Sequence, residues 1–132
     1  MQLTSKKPAF ADARGEIVDI VEKIPFDSLT VITSRQGAVR GNHYHRETTQ
    51  YTFILAGKCR YRSQKPDQPA EEAIMVKGDL AVSPPLESHA FEALEDSVLL
   101  AFCQGPRSGS QYETDTFRLV EPLIPSNEDE GA

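Results

Sequence analysis

The stretch RGNHYHRETTQYTFILAG, residues 40–57, contains two of the three histidines in the chain. One residue separates His43 from His45. Side chains alternate between the two faces of a strand, so both imidazoles would lie on one face and Tyr44 on the other. Two imidazoles on one face can bind the same metal ion. The stretch therefore predicts a strand with a candidate metal site, although an isolated His-x-His pair is also compatible with histidines that only form hydrogen bonds.

Further metal ligands can be sought in the same stretch and near the third histidine. Gln50 begins the next alternating run and would share a face with Thr52 and Ile54. Neutral imidazoles suit zinc, iron, manganese or nickel, and an oxygen donor can complete the coordination shell. The nearest residues that could complete a site for a divalent metal ion are Glu47, Gln50 and, much later in the chain, His89, and one candidate ligand set is His43, His45, Gln50 and His89. Because these ligands are all neutral, the site would favour an anionic ligand but bind the metal less tightly than a site with a carboxylate.

Short runs rich in β-branched and aromatic residues recur along the chain between turn signals. The predicted strands are 16–21, 29–33, 50–55, 58–62, 73–76, 80–83 and 98–103. Their regular spacing is typical of an all-β sandwich or barrel, and no segment shows the pattern of an amphipathic helix.

The length of 132 residues predicts one domain, at residues 1–125. Residues 126–132 have no apolar side chain large enough to bury, and we expect a disordered acidic tail there. The formal net charge of −6 argues against nucleic acid as a partner, because such binding needs clustered Lys and Arg. A few local arginines could still hold a small anionic ligand.

The cysteines and the hydropathy predict a cytoplasmic protein. Cys59 and Cys103 are far apart in the sequence and have no metal-finger spacing, so we expect two buried thiols in a reducing cytosol. No apolar run approaches the roughly 18 residues that a membrane span needs, so no membrane association is expected.

The spacing around the histidine pair resembles the first motif of the cupin superfamily, G(X)5HXH(X)3,4E(X)6G. Five residues separate Gly37 from His43, four separate His45 from Gln50, and six separate Gln50 from Gly57. Gln50 occupies the position where the family usually has Glu.

The second cupin motif, G(X)5PXG(X)2H(X)3N, resembles the sequence that begins at Gly78. Five residues separate Gly78 from Pro84, and His89 stands at the position of the motif's His. Leu86 and Ala93 replace its second Gly and its Asn. Together the two motifs imply a double-stranded β-helix, a small jelly-roll barrel with the site at its mouth.

Three segments carry a narrower resemblance, to enzymes of deoxysugar biosynthesis. They are FADARGEI at 10–17, VRGNHYH at 39–45 and PPLESHAFEALED at 84–96. They are similar to segments of dTDP-4-dehydrorhamnose 3,5-epimerases. They are closer still to sugar-nucleotide 3,4-ketoisomerases and to the RGNHYH cupin domain of capsular-polysaccharide reductases. This resemblance implies an RmlC-like cupin whose ligand is a nucleotide sugar.

The resemblance also implies roles for individual residues. His43 matches the histidine that serves as base in the epimerases, and Arg14 and Arg40 match positions that bind phosphates or shape the pocket. A phosphate-binding role for Arg60 is an additional hypothesis. Three tyrosines are candidate proton donors: Tyr44, Tyr51 and Tyr61.

The predicted function is isomerisation or epimerisation of a keto-deoxysugar nucleotide. His43 cannot be a metal ligand and a general base at the same time, so a metal-bound enzyme would use Glu47, Glu87 or a tyrosine as base. Two alternatives stay open: a metal-dependent dioxygenase and a non-catalytic cupin that binds a small molecule. We also expect a homodimer, because a strand at 16–21 could pair with a second subunit.

Overall fold

The computed structural model describes residues 1–106 and 113–126. Within these ranges the regular structure consists of strands and a single 3₁₀ turn at 113–115. The strands are β1 (Gln2–Ser5), β2 (Phe10–Asp12), β3 (Gly15–Ile17), β4 (Ser28–Ser34), β5 (Val39–Tyr44), β6 (Thr49–Ala56), β7 (Lys58–Gln64), β8 (Glu71–Val76), β9 (Asp79–Ser83), β10 (Ser88–Ala93), β11 (Ser97–Gln104) and β12 (Phe117–Arg118).

The strands form two five-stranded antiparallel sheets and a separate hairpin. The first sheet has the order β1-β9-β6-β11-β4, and the second has the order β12-β5-β10-β7-β8. Ile54 and Leu99 of the first sheet share one buried cluster with Tyr61, Met75 and Phe91 of the second. The sheets therefore pack face to face, and the predicted all-β jelly roll is confirmed.

Alternation along β7 shows why these residues form strands of a two-sheet fold. Cys59, Tyr61 and Ser63 are buried at the sheet interface. Arg60 lies on the opposite face, where it forms ion pairs with Glu72 and Glu92. A period of two between apolar and charged residues thus separates the core face of the strand from its solvent face.

The predicted strand at 16–21 is wrong over most of its length. Only Gly15–Ile17 is a strand, and it pairs with Phe10–Asp12 in the hairpin. Ile20 and Val21 instead pack on the outer face of the first sheet, against a cluster formed by Phe53, Leu80 and Phe102. Their apolar side chains are used to cover that face, which does not require a strand.

The other six predicted runs form strands, and the structure adds β1, β2 and β10, which the sequence pattern did not indicate. Both predicted thiols, Cys59 and Cys103, are buried. Of the predicted acidic tail, only Ser126 is among the described residues, and 127–132 lie outside them. No helix within the described ranges is long and apolar enough to cross a membrane.

Candidate functional site

Strand β5 contains a β-bulge next to the histidine pair. His89 of β10 pairs with His43, but Ala90 pairs with Gly41, so Asn42 is an extra residue on β5. Gly41 and Asn42 both have positive φ angles, of 94° and 58°. Glycine adopts this conformation without strain, and asparagine tolerates it better than most residues. The bulge leaves His43 and His89 directly opposite each other on neighbouring strands.

Three buried imidazoles meet between the two sheets. The ring centroid of His43 lies 4.9 Å from that of His45 and 4.8 Å from that of His89, and the remaining pair is 5.4 Å apart. One ring nitrogen from each histidine can be chosen so that all three lie within 4.8 Å of one another. The expectation that the two histidines of the pair share a face is met, and the chain brings the third histidine to them.

One hydrogen bond shows which ring nitrogen of His45 carries the proton. Its Nδ1 lies 2.7 Å from the main-chain oxygen of Asp115. A carbonyl oxygen can only accept, so Nδ1 carries the proton and Nε2 carries the lone pair. Nε2 is buried and has no hydrogen-bond partner among the described residues. A buried imidazole nitrogen that is held as an acceptor fits a metal ligand.

The carboxylate of Asp115 holds the turn that follows His45. It accepts hydrogen bonds from the backbone N–H groups of Arg46, Glu47 and Thr48, and from the Thr48 hydroxyl at 2.8 Å. Burial acts to raise the pKa of Asp115, but these hydrogen bonds outweigh it and the pKa is lowered. From its sequence, the run at 113–118 is predicted to be a loop that leads into a last strand, with no functional site. No local signal marks Asp115, because its partners are about 70 residues away.

Gln50, the fourth predicted ligand, lies on the wall of the cavity between the sheets, which His43 and His89 also line. Its side-chain nitrogen donates to Thr52 Oγ1 at 3.0 Å. This bond leaves the amide oxygen of Gln50 as the side-chain group that can bind a cation. The donor set of three imidazoles and one amide oxygen suits a divalent transition metal.

The same cavity has a cationic side chain and an apolar wall. Arg40 donates from Nε to Ser34 Oγ at 3.0 Å and from a terminal nitrogen to the Thr33 carbonyl at 2.9 Å. The apolar wall is formed by Ile32, Phe91 and Leu99. A fixed guanidinium beside the imidazoles suits an anionic ligand with an apolar part.

Three residues predicted to contact substrate lie away from this cavity. Arg14 is on the β2–β3 hairpin, where its side chain is 86% exposed and pairs with Asp12. Arg60 pairs with glutamates on the outer face of the second sheet. Tyr51 is in the apolar cluster that covers the outer face of the first sheet, and its ring contacts Phe26.

The remaining candidate proton donors and bases are also outside the cavity wall. Tyr61 is fully buried and stacks on Phe91, and burial raises its pKa to about 12. Tyr44 stacks on Phe117. Glu47 is exposed, whereas Glu87 is buried with one carboxylate oxygen 3.6 Å from the amino group of Met1. The structure therefore brings the three histidines together in one cluster and places His43, His89, Gln50 and Arg40 on one cavity wall, away from the other candidates.

The opposed antiparallel sheets with histidines from β5 and β10 between them define an RmlC-like cupin. Residues 10–117 match the family described as "Polysaccharide biosynthesis C-terminal domain". The chain therefore belongs to this family. No curated protein matches the sequence.

Solved structures extend the comparison. The 3,4-ketoisomerase QdtA from Thermoanaerobacterium thermosaccharolyticum, a double mutant in complex with TDP, is 28% identical with a TM-score of 0.70, covering 89% of this chain and 86% of QdtA. The dTDP-4-dehydrorhamnose 3,5-epimerase of Sulfolobus tokodaii is 23% identical, with a TM-score of 0.68 and coverages of 81% and 70%. CapF from Staphylococcus aureus is 20% identical with a TM-score of 0.63, and the match covers 83% of this chain but 33% of CapF. The last two likenesses concern the fold.

Proposed function

We propose that this chain is an isomerase or epimerase of a keto-deoxysugar nucleotide, with a divalent transition-metal ion at the three-histidine site. One observation carries the metal part of the proposal. The buried imidazoles of His43, His45 and His89 place a nitrogen each within 4.8 Å of the others. The hydrogen bond from His45 Nδ1 to Asp115 additionally keeps Nε2 of His45 in its acceptor form.

The proposed ligand class is supported by the similarity to QdtA. That protein is a 3,4-ketoisomerase solved with TDP, and the match covers most of both chains. A variant of QdtA was solved with TDP-4-keto-6-deoxyglucose. In this chain Arg40 is a cation on the wall of the histidine cavity, which suits the negative charge of a nucleotide sugar.

The metal would be held by the three imidazoles and by the amide oxygen of Gln50. When bound, such an ion supplies Lewis-acid polarisation of a ketone, which makes the hydrogens on the neighbouring carbons more acidic. The protein's own contribution is to bury these ligands between the sheets and to keep His45 in one tautomer. Arg40, fixed by Ser34 and Thr33, would orient the ligand relative to the imidazoles.

Two versions of this function differ in the residue that acts as the base. In the metal-bound version His43 is a ligand, and a carboxylate such as Glu47 or Glu87 would move the proton. In the metal-free version His43 itself would remove the proton next to the ketone. Among the described residues the cavity wall contains His43 but no carboxylate or tyrosine, so in the metal-bound version the base would act from outside that wall.

His45→Ala distinguishes the two versions. His45 would be a metal ligand in the first version, but its ring is tied to Asp115 and it does not line the cavity. Wild type, His45→Ala and His43→Ala would be purified without an affinity tag and analysed for metal. Each would then be incubated with TDP-4-keto-6-deoxyglucose in D₂O, and deuterium uptake at the carbons next to the ketone would be measured by mass spectrometry.

The metal-bound version predicts near-stoichiometric metal in the wild type and loss of both metal and deuterium uptake in His45→Ala. The metal-free version predicts no dependence on metal, with activity lost in His43→Ala and retained in His45→Ala. Binding of the nucleotide sugar without deuterium uptake in any sample would contradict catalysis and support a non-catalytic binding cupin. Oxygen consumption by the iron-loaded wild type would support the dioxygenase alternative.

A further inference from the structure

We infer that Asp115 is a positioning residue that sets both the proton and the orientation of His45 before any metal ion binds. This inference rests on the metal site proposed above. Asp115 is 70 positions from His45 in the sequence and is 2% exposed. It does not line the cavity, so any role in the site is indirect and acts through the residues that it contacts, above all His45.

The main-chain oxygen of Asp115 controls the tautomer. Its distance of 2.7 Å from His45 Nδ1 is that of a short hydrogen bond. An imidazole binds a metal ion through its unprotonated nitrogen, and a hydrogen bond from the other nitrogen selects the tautomer and fixes the ring. The Asp115 carbonyl therefore keeps Nε2 of His45 available as a ligand.

The Asp115 carboxylate controls the chain next to His45. Three successive N–H groups, from Arg46, Glu47 and Thr48, point at its two oxygens at distances of 2.9, 3.0 and 2.9 Å. Successive backbone N–H groups arranged in this way form a concave anion-binding site. They belong to the turn between β5 and β6, which begins directly after His45. The same residue thus holds the ring of His45 and the turn that follows it.

The neighbourhood of Asp115 is tied to the other two histidines as well. Phe117 and Arg118, just after Asp115, pair with Tyr44 and His43 on β5. The carbonyl of His45 accepts from Leu86 N–H at 2.7 Å, in the segment that leads into β10 and His89. Loosening the Asp115 contacts would therefore change the position of His45 relative to both partners, and we expect metal affinity to fall about 10–100-fold.

The first test reads the tautomer directly in metal-free wild type. Protein labelled with ¹⁵N-histidine would be examined by NMR for the ring nitrogen of His45 that carries the proton. We expect protonated Nδ1 with slow exchange. A His45 protonated on Nε2 would overturn the inference.

The second test measures zinc affinity by competition with a chromophoric chelator. Asp115→Asn keeps the size of the side chain but replaces one acceptor oxygen with a donor NH₂, which opposes the N–H groups of the turn. We expect at least about tenfold weaker zinc binding. The matched control is Asp79→Asn, because Asp79 accepts a turn N–H from Val76 at 2.9 Å and does not line the cavity. Its zinc affinity should equal that of the wild type.

An affinity of Asp115→Asn within twofold of the wild type would overturn the inference. If Asp115→Asn does not fold, Thr48→Val removes only the hydroxyl that donates to the carboxylate and should still weaken zinc binding severalfold, and unchanged binding would count against the inference. Neither test uses turnover, so a failure of the proposed catalysis leaves both readouts unaffected. A wild type that binds no zinc would refute the proposed metal site, while the NMR experiment would still decide the role of Asp115.

Discussion

A Cβ atom on Gly41 would lie 2.7 Å from the main-chain oxygen of His89 and 3.1 Å from Cα of Ala90. At this point β5 and β10 approach so closely that no side chain larger than hydrogen fits between them. The close approach is part of the bulge that sets His43 opposite His89. The glycine of the RGNHYH sequence is therefore a geometric requirement of the histidine cluster.

Replacing Gly41 by alanine should destabilise the protein strongly. The positive φ of 94° costs about 1–2 kcal/mol for alanine, and the contact with the His89 backbone adds to this because neither strand can easily move. Urea unfolding would measure the change. Gly37→Ala is the control, since Gly37 has a φ of 90° but a Cβ atom at that position would meet nothing within 4 Å. Equal losses of stability in the two variants would contradict the proposed steric role.

Arg40→Ala should weaken binding of TDP by about 10–100-fold, because a hydrogen bond to a charged group contributes about 1.5–3 kcal/mol. Arg40 lines the histidine cavity, whereas Arg60 is engaged with Glu72 and Glu92 on the outer face of the second sheet. Isothermal titration calorimetry with TDP would compare Arg40→Ala with Arg60→Ala. A larger loss in Arg60→Ala than in Arg40→Ala would place the anion on the outer face instead.

Ionisation of Tyr61 should lower the free energy of unfolding at high pH. Burial raises its pKa to about 12 in the folded protein, against about 10 in an unfolded chain. The folded state therefore holds the proton more tightly, and this contribution is complete below pH 10 and is lost as the pH rises towards 12. The shift corresponds to about 2–3 kcal/mol.

The measurement is chemical unfolding of wild type and Tyr61→Phe between pH 8 and pH 12 (about two units either side of the unfolded pKa). Phenylalanine retains the stacking on Phe91 but has no proton to lose, so the wild type should lose stability relative to Tyr61→Phe as the pH rises above 10. A difference that is constant with pH would show that Tyr61 does not titrate as its burial requires.

We propose that the chain forms a homodimer through its hairpin. Among the described residues strands β2 and β3 pair with no other strand, and the paired residues Phe10 and Ile17 are 52% and 60% exposed. A two-stranded hairpin with its apolar side chains in water is only marginally stable, so a partner surface would stabilise it. Sedimentation at micromolar concentration should give the dimer mass, and the double variant Phe10→Asp, Ile17→Asp should give the monomer mass. A monomeric wild type would contradict this proposal.

Much of the fold could be predicted from local patterns. Six of the seven predicted runs are strands because alternation of apolar and polar side chains is a local property of an extended chain with one buried face. The prediction of a strand at 16–21 was wrong because apolar residues at the same spacing can also cover the outside of a sheet. Ile20 and Val21 do this without forming a strand.

The residues of the candidate site could also be predicted only in part from the sequence. Cupin spacing in the sequence singled out His43, His45, Gln50 and His89, and strand alternation placed the first two on one face. Arg14, Arg60 and Tyr51 carried equally plausible local signals, but Arg14 lies on the separate hairpin, and Arg60 and Tyr51 lie on the outer faces of the two sheets. Which face of which sheet a residue occupies depends on how the sheets pack, and a short segment does not contain that information.

The periodicity of the strands and the set of histidines that can meet follow from the sequence alone. The tertiary structure alone decided that Asp115 meets His45 and the turn after it, across 70 residues of sequence. The physical reason is that hydrogen bonds to main-chain atoms do not depend on the side chains that flank them, so they leave no pattern in the sequence. They form where the packed sheets bring a carbonyl and a buried carboxylate against their donors.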